Sequence, residues 1–198
     1  MKTSNILIAG IFILACSAAS ATAGSEHAFG RAAGNCGGQW KLPDTGQTIS
    51  YSTATGDDAH YNPAFIQPAY AIQSPVGTSS VTVDNVTGLM WITNPVDAGI
   101  NGTYLWDNAL TACEGLTYAT YSDWRLPNIK ELQSIVDYSA VMPSADTTYF
   151  STLNGTYWAS TTFQPNSPYA WSLDFMSGAI VARIKAGNSY VRCVRGGL

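Results

Sequence analysis

Basic residues are scarce in this sequence and nowhere form a run. Nine lysines and arginines stand against thirteen acids in 198 residues, a net charge of −4. Phosphate backbones are gripped by clustered lysine and arginine, so the balance argues against nucleic acid as a partner. It weakens the case for sulfated polysaccharides in the same way. Histidine is scarcer still. His27 and His60 are the only two, and both stand outside the regularly patterned part of the chain. No Gly-x-Ser-x-Gly, zinc-ligand spacing or phosphate loop occurs. No catalytic residue, metal or cofactor is therefore expected. Long apolar runs are missing too: Ile6 to Ala15 is the one apolar stretch of note, and it is too short to span a bilayer stably.

That short run reads instead as an export signal over residues 1–23. Met1-Lys2 gives the positive start, and Ala21-Thr22-Ala23 gives the small-residue site, with cleavage between Ala23 and Gly24. A second reading stays open. Ile13-Leu14-Ala15-Cys16 is similar to a bacterial lipobox, which would lipidate Cys16 and anchor the protein to a membrane. The expected location is secreted, periplasmic or on the outer surface of a bacterium.

Residues 24–77 are expected to be loosely structured, being rich in Gly, Ala, Ser, Thr and Pro. Prolines at 63, 68 and 75 forbid a long helix there and permit only edge or extended structure. From residue 78 to 198 the pattern tightens into one domain. Residues 79–92 read as two strands around Asp84-Asn85, with Val81 and Val83 on one face and Leu89 and Trp91 on another. Residues 105–116 read as a helix that buries Trp106, Ala109, Leu110 and Cys113 and stops near Gly115. Residues 122–139 give a second helix, entered at Pro127 and capped by Asn128 with Glu131, with a stripe of Ile129, Leu132, Ile135 and Val136. Strands follow at 156–163, 169–175, 179–184 and 190–195, with Met176-Ser177-Gly178 as a hairpin connection. Strands, then two helices, then antiparallel strands is an α+β order.

Export permits disulfides, and cleavage after Ala23 leaves Cys36, Cys113 and Cys193. Cys113 falls on the buried face of the first helix and Cys193 in the last strand. Cys36 lies in the Gly-rich stretch AGNCGGQW. The pairing expected is therefore Cys113 with Cys193, against the alternative of two separate buried thiols.

The segments DNVTGLMW, YLWDNALTACEGL, YSDWRLPNIKELQSIVDYS, YWASTTF, AWSLDF and YVRCVRGG, in that order, resemble the Lcl C-terminal domain family, also called DUF1566, over about residues 80 to 197. LPDTGQT at 42–48 resembles the leader often found before that domain. The resemblance implies a C-type-lectin-like fold, shared with formylglycine-generating-enzyme-like domains. In it two helices pack on twisted antiparallel sheets, and a disulfide from the first helix to the last strand recurs. It further implies a non-enzymatic surface domain for adhesion or matrix attachment. A glycan is then the expected partner; a structural or assembly module that binds another surface protein is the first alternative, and an enzyme of unknown type the second.

Within these motifs Asp123-Trp124-Arg125 reads as a structural corner, with the tryptophan buried and the charges pairing nearby. Trp91, Trp106, Trp158 and Trp171 stand at core-like positions in periodic runs. The ligand-binding candidates are Tyr149, Tyr157 and Tyr169, as exposed aromatics around the late strands, and Arg192 and Arg195, as cations for a sulfated or carboxylated sugar. Internal ion pairing is the plainer reading of the two arginines. Asp57-Asp58-x-His60 lies in the loose segment and falls short of the six or more oxygens a hard cation needs.

Overall fold

The computed structural model describes residues 45–47, 49–50, 53, 58–61, 69–151 and 155–196. The export signal, Cys16, Cys36, Asp57 and the side chain of His60 lie outside the described residues. Two antiparallel sheets carry the fold. The first has the order β1-β2-β3-β7, from Tyr70–Val76, Ser79–Asp84, Leu89–Ile92 and Val194–Gly196. The second has the order β4-β5-β6, from Thr156–Thr162, Tyr169–Asp174 and Ala179–Ile184. A short helix α1 (Asp58–Tyr61) precedes the sheets, and α2 (Trp106–Glu114) and α3 (Ile129–Gln133) lie between β3 and β4. The class is α+β.

Local chemistry explains the turns. The Asp84 carboxylate is buried at the end of β2 and accepts hydrogen bonds from Val86 N, Thr87 N and Thr87 Oγ1. Gly88 then turns the chain into β3 at φ +74°, a region that side chains with a Cβ disfavour. Asp174 does the same for the β5–β6 hairpin, accepting from Met176 N and from Ser177 Oγ.

β3 is the inner strand that joins two cores. Its side chains alternate across the sheet with period two. Leu89 and Trp91 enter a core with Leu132, Ile135, Phe150, Leu173, Phe175 and Val194. Ile92 enters the other, with Val81, Cys113, Trp124, Trp158 and Cys193. β4 alternates likewise: Trp158 belongs to the second core, Tyr157 and Ala159 to the first. Each large apolar side chain so buried is worth about 1.5–3 kcal/mol over exposure.

Three expectations need correction. The sheet begins at Tyr70, inside the segment expected to be loose, and β1 is an edge strand that tolerates Pro75. The second helix is five residues, not most of 122–139. Its capping box is present, with Asn128 accepting from Lys130 N and Glu131 N while Glu131 returns to Asn128 N. The helix stops because Ser134 Oγ donates back to Glu131 O and Asp137 N donates across to Ser144 O, so the chain turns away. The stripe survives the loss of helix: Leu132, Ile135 and Val136 are all buried. The last strand is also shorter than expected, because Cys193 is tied to α2 and Arg192 turns into the core just before β7 begins.

Part of the leader has a defined place. Thr45 O accepts from Tyr138 N at 2.9 Å, and Thr45 Oγ1 donates to the Asp58 carboxylate.

Candidate functional site

A cleft of about 210 Å³ opens between the loop after β3 and the chain leading into β7. Its lining is Pro95, Val96, Ile100, Gly102, Tyr157, Tyr190 and Val191. The first wall is built by Asn94. Its side chain accepts from Val96 N and caps a 3-10 turn over Pro95–Ala98, which Gly99 ends at φ +80°. The opposite wall is aromatic. Tyr157 and Tyr190 stack with ring centroids 5.4 Å apart and planes 28° from parallel. Their backbones are locked together: Tyr190 N donates to Thr156 O, and Trp158 N donates to Tyr190 O. Phe175 packs edge-on against Tyr157 from behind, at 5.3 Å. Gly155 makes room for the stack, since a Cβ there would stand 3.2 Å from the Tyr190 ring.

Of the two rings, Tyr157 is 1% exposed and Tyr190 37%. Tyr157 was expected as an exposed aromatic in a loop. It is instead an inward residue of β4, covered by Tyr190. Tyr190 is the residue that sequence reasoning missed. Its signal was its place shortly after the turn at 185–187, three residues before a cysteine that anchors the segment. Tyr169 is half-buried at the start of β5, and Tyr149 is half-buried against Tyr70. Neither lines the cleft.

Arg192 is a second correction. It is wholly buried and so reaches no ligand at the surface. Its guanidinium donates to Ile92 O, Thr93 O and Ser151 O. Its partners are backbone carbonyls, not the carboxylates that internal ion pairing called for. Burial pushes its pKa down to about 10, opposed by Tyr157, so it still carries its charge at neutral pH.

Arg195 is ion-paired. Nε and Nη2 donate to the two oxygens of Asp123 at 2.7 and 3.0 Å, and the guanidinium lies 3.8 Å from the centre of the Tyr121 ring. The adjacent Arg125 grips Glu131 with both nitrogens at 2.7 Å and reaches Gly196 O. Between them Trp124 is buried and donates to Tyr118 O. The Asp-Trp-Arg corner therefore fastens β7 to α3 and to the turn before it. Trp91 and Trp158 are core residues, while Trp106 and Trp171 are half-buried. Lys185 lies 3.9 Å from the centre of the Trp106 ring.

The hydrogen bonds from Arg195 hold the Asp123 carboxyl below its usual range. A carboxyl with a lowered folded pKa stabilises above its unfolded value and loses that contribution as pH falls through the folded one. Asp123→Asn is expected to cost no more than about 1 kcal/mol at neutral pH, since Asp123 is well exposed. The gap between variant and parent is expected to close in acid. Urea unfolding of both proteins between about pH 2 and pH 7 checks it. A gap that persists at the acid end would mean the ion pair is not its cause.

Cys113 and Cys193 form a disulfide, with Cα atoms 5.5 Å apart and both residues buried. Among the described residues no group of three or more His, Cys, Asp and Glu is placed to hold a metal ion, and no helix is long and apolar enough to cross a membrane. No curated protein matches the chain. The profile of the Lcl C-terminal domain matches residues 80–195, more than half of the sequence. The disulfide, the Asp-Trp-Arg corner and the cleft's Tyr157 and Tyr190 all fall within that span, and the chain belongs to the Lcl C-terminal domain family.

Proposed function

We propose that this protein is an exported, cell-surface binding domain that recognises carbohydrate at the Tyr190 cleft and acts without catalysis. Membership of the Lcl C-terminal domain family supports an adhesin-like surface role. A C-type-lectin-like arrangement is part of the proposal. Two antiparallel sheets, α2 and α3, and the bridge from α2 to the chain before β7 are consistent with it.

The observation that carries the reading is Tyr190 itself. Its ring is part exposed and stacked on a buried ring, and two backbone hydrogen bonds fix the segment that carries it, so the entropy lost on binding is reduced. A sugar presents an apolar C–H face to such a ring and hydroxyls to the rim. Among the described residues the groups with shifted pKa do not converge on the cleft as a catalytic set. Asp123, Arg125 and Arg195 are explained by ion pairs, and Tyr70 and Arg192 by burial.

The test is a glycan array with residues 24–198, followed by titration of the best ligand. Tyr190→Ala is expected to weaken binding by about tenfold or more, the equivalent of about 1.4 kcal/mol. Tyr190→Phe is expected to keep most of it. An array without saturable binding would sink the carbohydrate reading. A second reading, a module that binds another protein, is favoured by one observation. Tyr138, Val141 and Met142 are exposed on one loop, and Met176 is exposed on the β5–β6 turn that packs against it.

A further inference from the structure

We infer that the cleft takes a single uncharged sugar ring, and that sulfated and carboxylated sugars are disfavoured there; this rests on the carbohydrate reading above. The argument begins with where the positive charges are. The described residues hold six lysines and arginines, and none lines the cleft. Arg192, the nearest in sequence, is sealed in the core on backbone carbonyls. Arg195 and Arg125 are each engaged by both oxygens of a carboxylate. Lys185 is bound to Thr162 Oγ1 and lies over Trp106. Arg183 reaches Asn188 O, and Lys130 belongs to α3.

Next to the lining residue Val96 stands a charge of the opposite sign. Asp97 sits in the 3-10 turn beside Val96, exposed, and its carboxylate accepts from Asn94 Nδ2 at 3.1 Å. An anionic ligand would therefore lose hydration, meet no cation of the described residues in the lining and stand near a carboxylate, on a chain that is acidic overall. A neutral ring meets none of these costs. The lining is Pro, Val, Ile, Gly and Tyr, suited to C–H faces. Exposed Asn101 and Thr103 flank Gly102 and bring amide and hydroxyl groups next to it. Size points the same way. About 210 Å³ is below the range of about 300–1,000 Å³ that holds a drug-sized ligand, which suits a single ring seated in the cleft.

The test uses residues 24–198 and calorimetric titration with matched pairs of oligosaccharides, each neutral scaffold set beside its sulfated or sialylated form. Titrations are run at about 50 mM and about 500 mM NaCl, where screening differs strongly. Neutral members are expected to bind with affinity that changes less than about twofold between the two salts. Adding the anionic group at the ring that enters the cleft is expected to weaken binding by about fivefold or more. Val96→Asp, at an exposed lining position, is expected to abolish neutral binding while the circular dichroism spectrum is unchanged. Anionic sugars binding more tightly than their neutral partners, with affinity that collapses in high salt, would overturn this inference and leave the carbohydrate reading standing. Neutral binding that Val96→Asp and Tyr190→Ala leave untouched would overturn it by placing the site elsewhere. A panel in which nothing binds would take down the carbohydrate reading itself, and this inference with it.

Discussion

Protein carrying Cys113→Ala with Cys193→Ala is expected to lose on the order of 4 to 5 kcal/mol of unfolding free energy. The bridge spans 80 residues of sequence, and on the chain-entropy account a loop of that length restricts the unfolded chain by about that much. Domains of this kind are stable by about 5–15 kcal/mol in all, so the variant would stand at or near the edge of folding. The loss should be large also because both cysteines are buried in the core that holds Trp124 and Trp158, where their removal loosens packing as well. Urea unfolding of the parent, the double variant and the reduced parent measures it. The reduced parent should resemble the variant. A loss below about 1 kcal/mol would mean that the sheet and helix hold together without the bridge.

Arg192→Ala is expected to cost about 3–5 kcal/mol, since buried carbonyls left without a donor cost about 1–3 kcal/mol each and a large buried side chain is lost as well. Three carbonyls, Ile92 O, Thr93 O and Ser151 O, would lose the donors that now draw the end of β3 and the chain before β4 together. A space the size of the side chain would open beside Phe150, whose ring lies 5.6 Å from the guanidinium carbon. Arg192→Met refills the space but not the hydrogen bonds, so its cost should fall between alanine and the parent. Arg192→Lys keeps the charge without the planar fork that serves several carbonyls at once. If Met and Ala proved equally harmful, the hydrogen bonds would be the whole contribution; if Met matched the parent, packing would be.

Much of this fold was legible in the sequence, for reasons that particular residues make plain. Strand alternation around Leu89 and Trp91, the Asn128–Glu131 cap and the stop at Gly115 are local signals, and each stands where the sequence put it. Cys113 and Cys193 were legible because a bridge needs two ordered, inward positions. What failed was non-local. The pattern of Ile129 to Val136 fits a helix, but whether the chain continues as one past Ser134 depends on Ser144 arriving as a partner. The same limit hid the cleft. Tyr157 and Tyr190 lie on separate segments, and only their bridge between strands decides which ring is covered and which is left at the surface. Arg192 reads as a cation for an ion pair or a ligand, because nothing local announces that three carbonyls distant in sequence converge on it.

The stretch from Tyr190 to Gly196 has a bearing on how the chain reaches its structure. It supplies the ring that covers Tyr157, the arginine bonded to a carbonyl 100 residues earlier, the cysteine bonded to α2 and the strand that pairs with β3. These are long-range closures, whose loop entropy must be met before the contacts form, and such topologies fold slowly. A nascent chain can build α2 and the β5–β6 hairpin early, since their partners are near in sequence. Neither core can close until the residues after Ser189 have emerged. Assembly thus waits on one short segment: both cores stay open until Val191, Cys193 and Val194 are in place, and the residues that bring in the ring, the arginine and the bridge are also the ones that shut the cores.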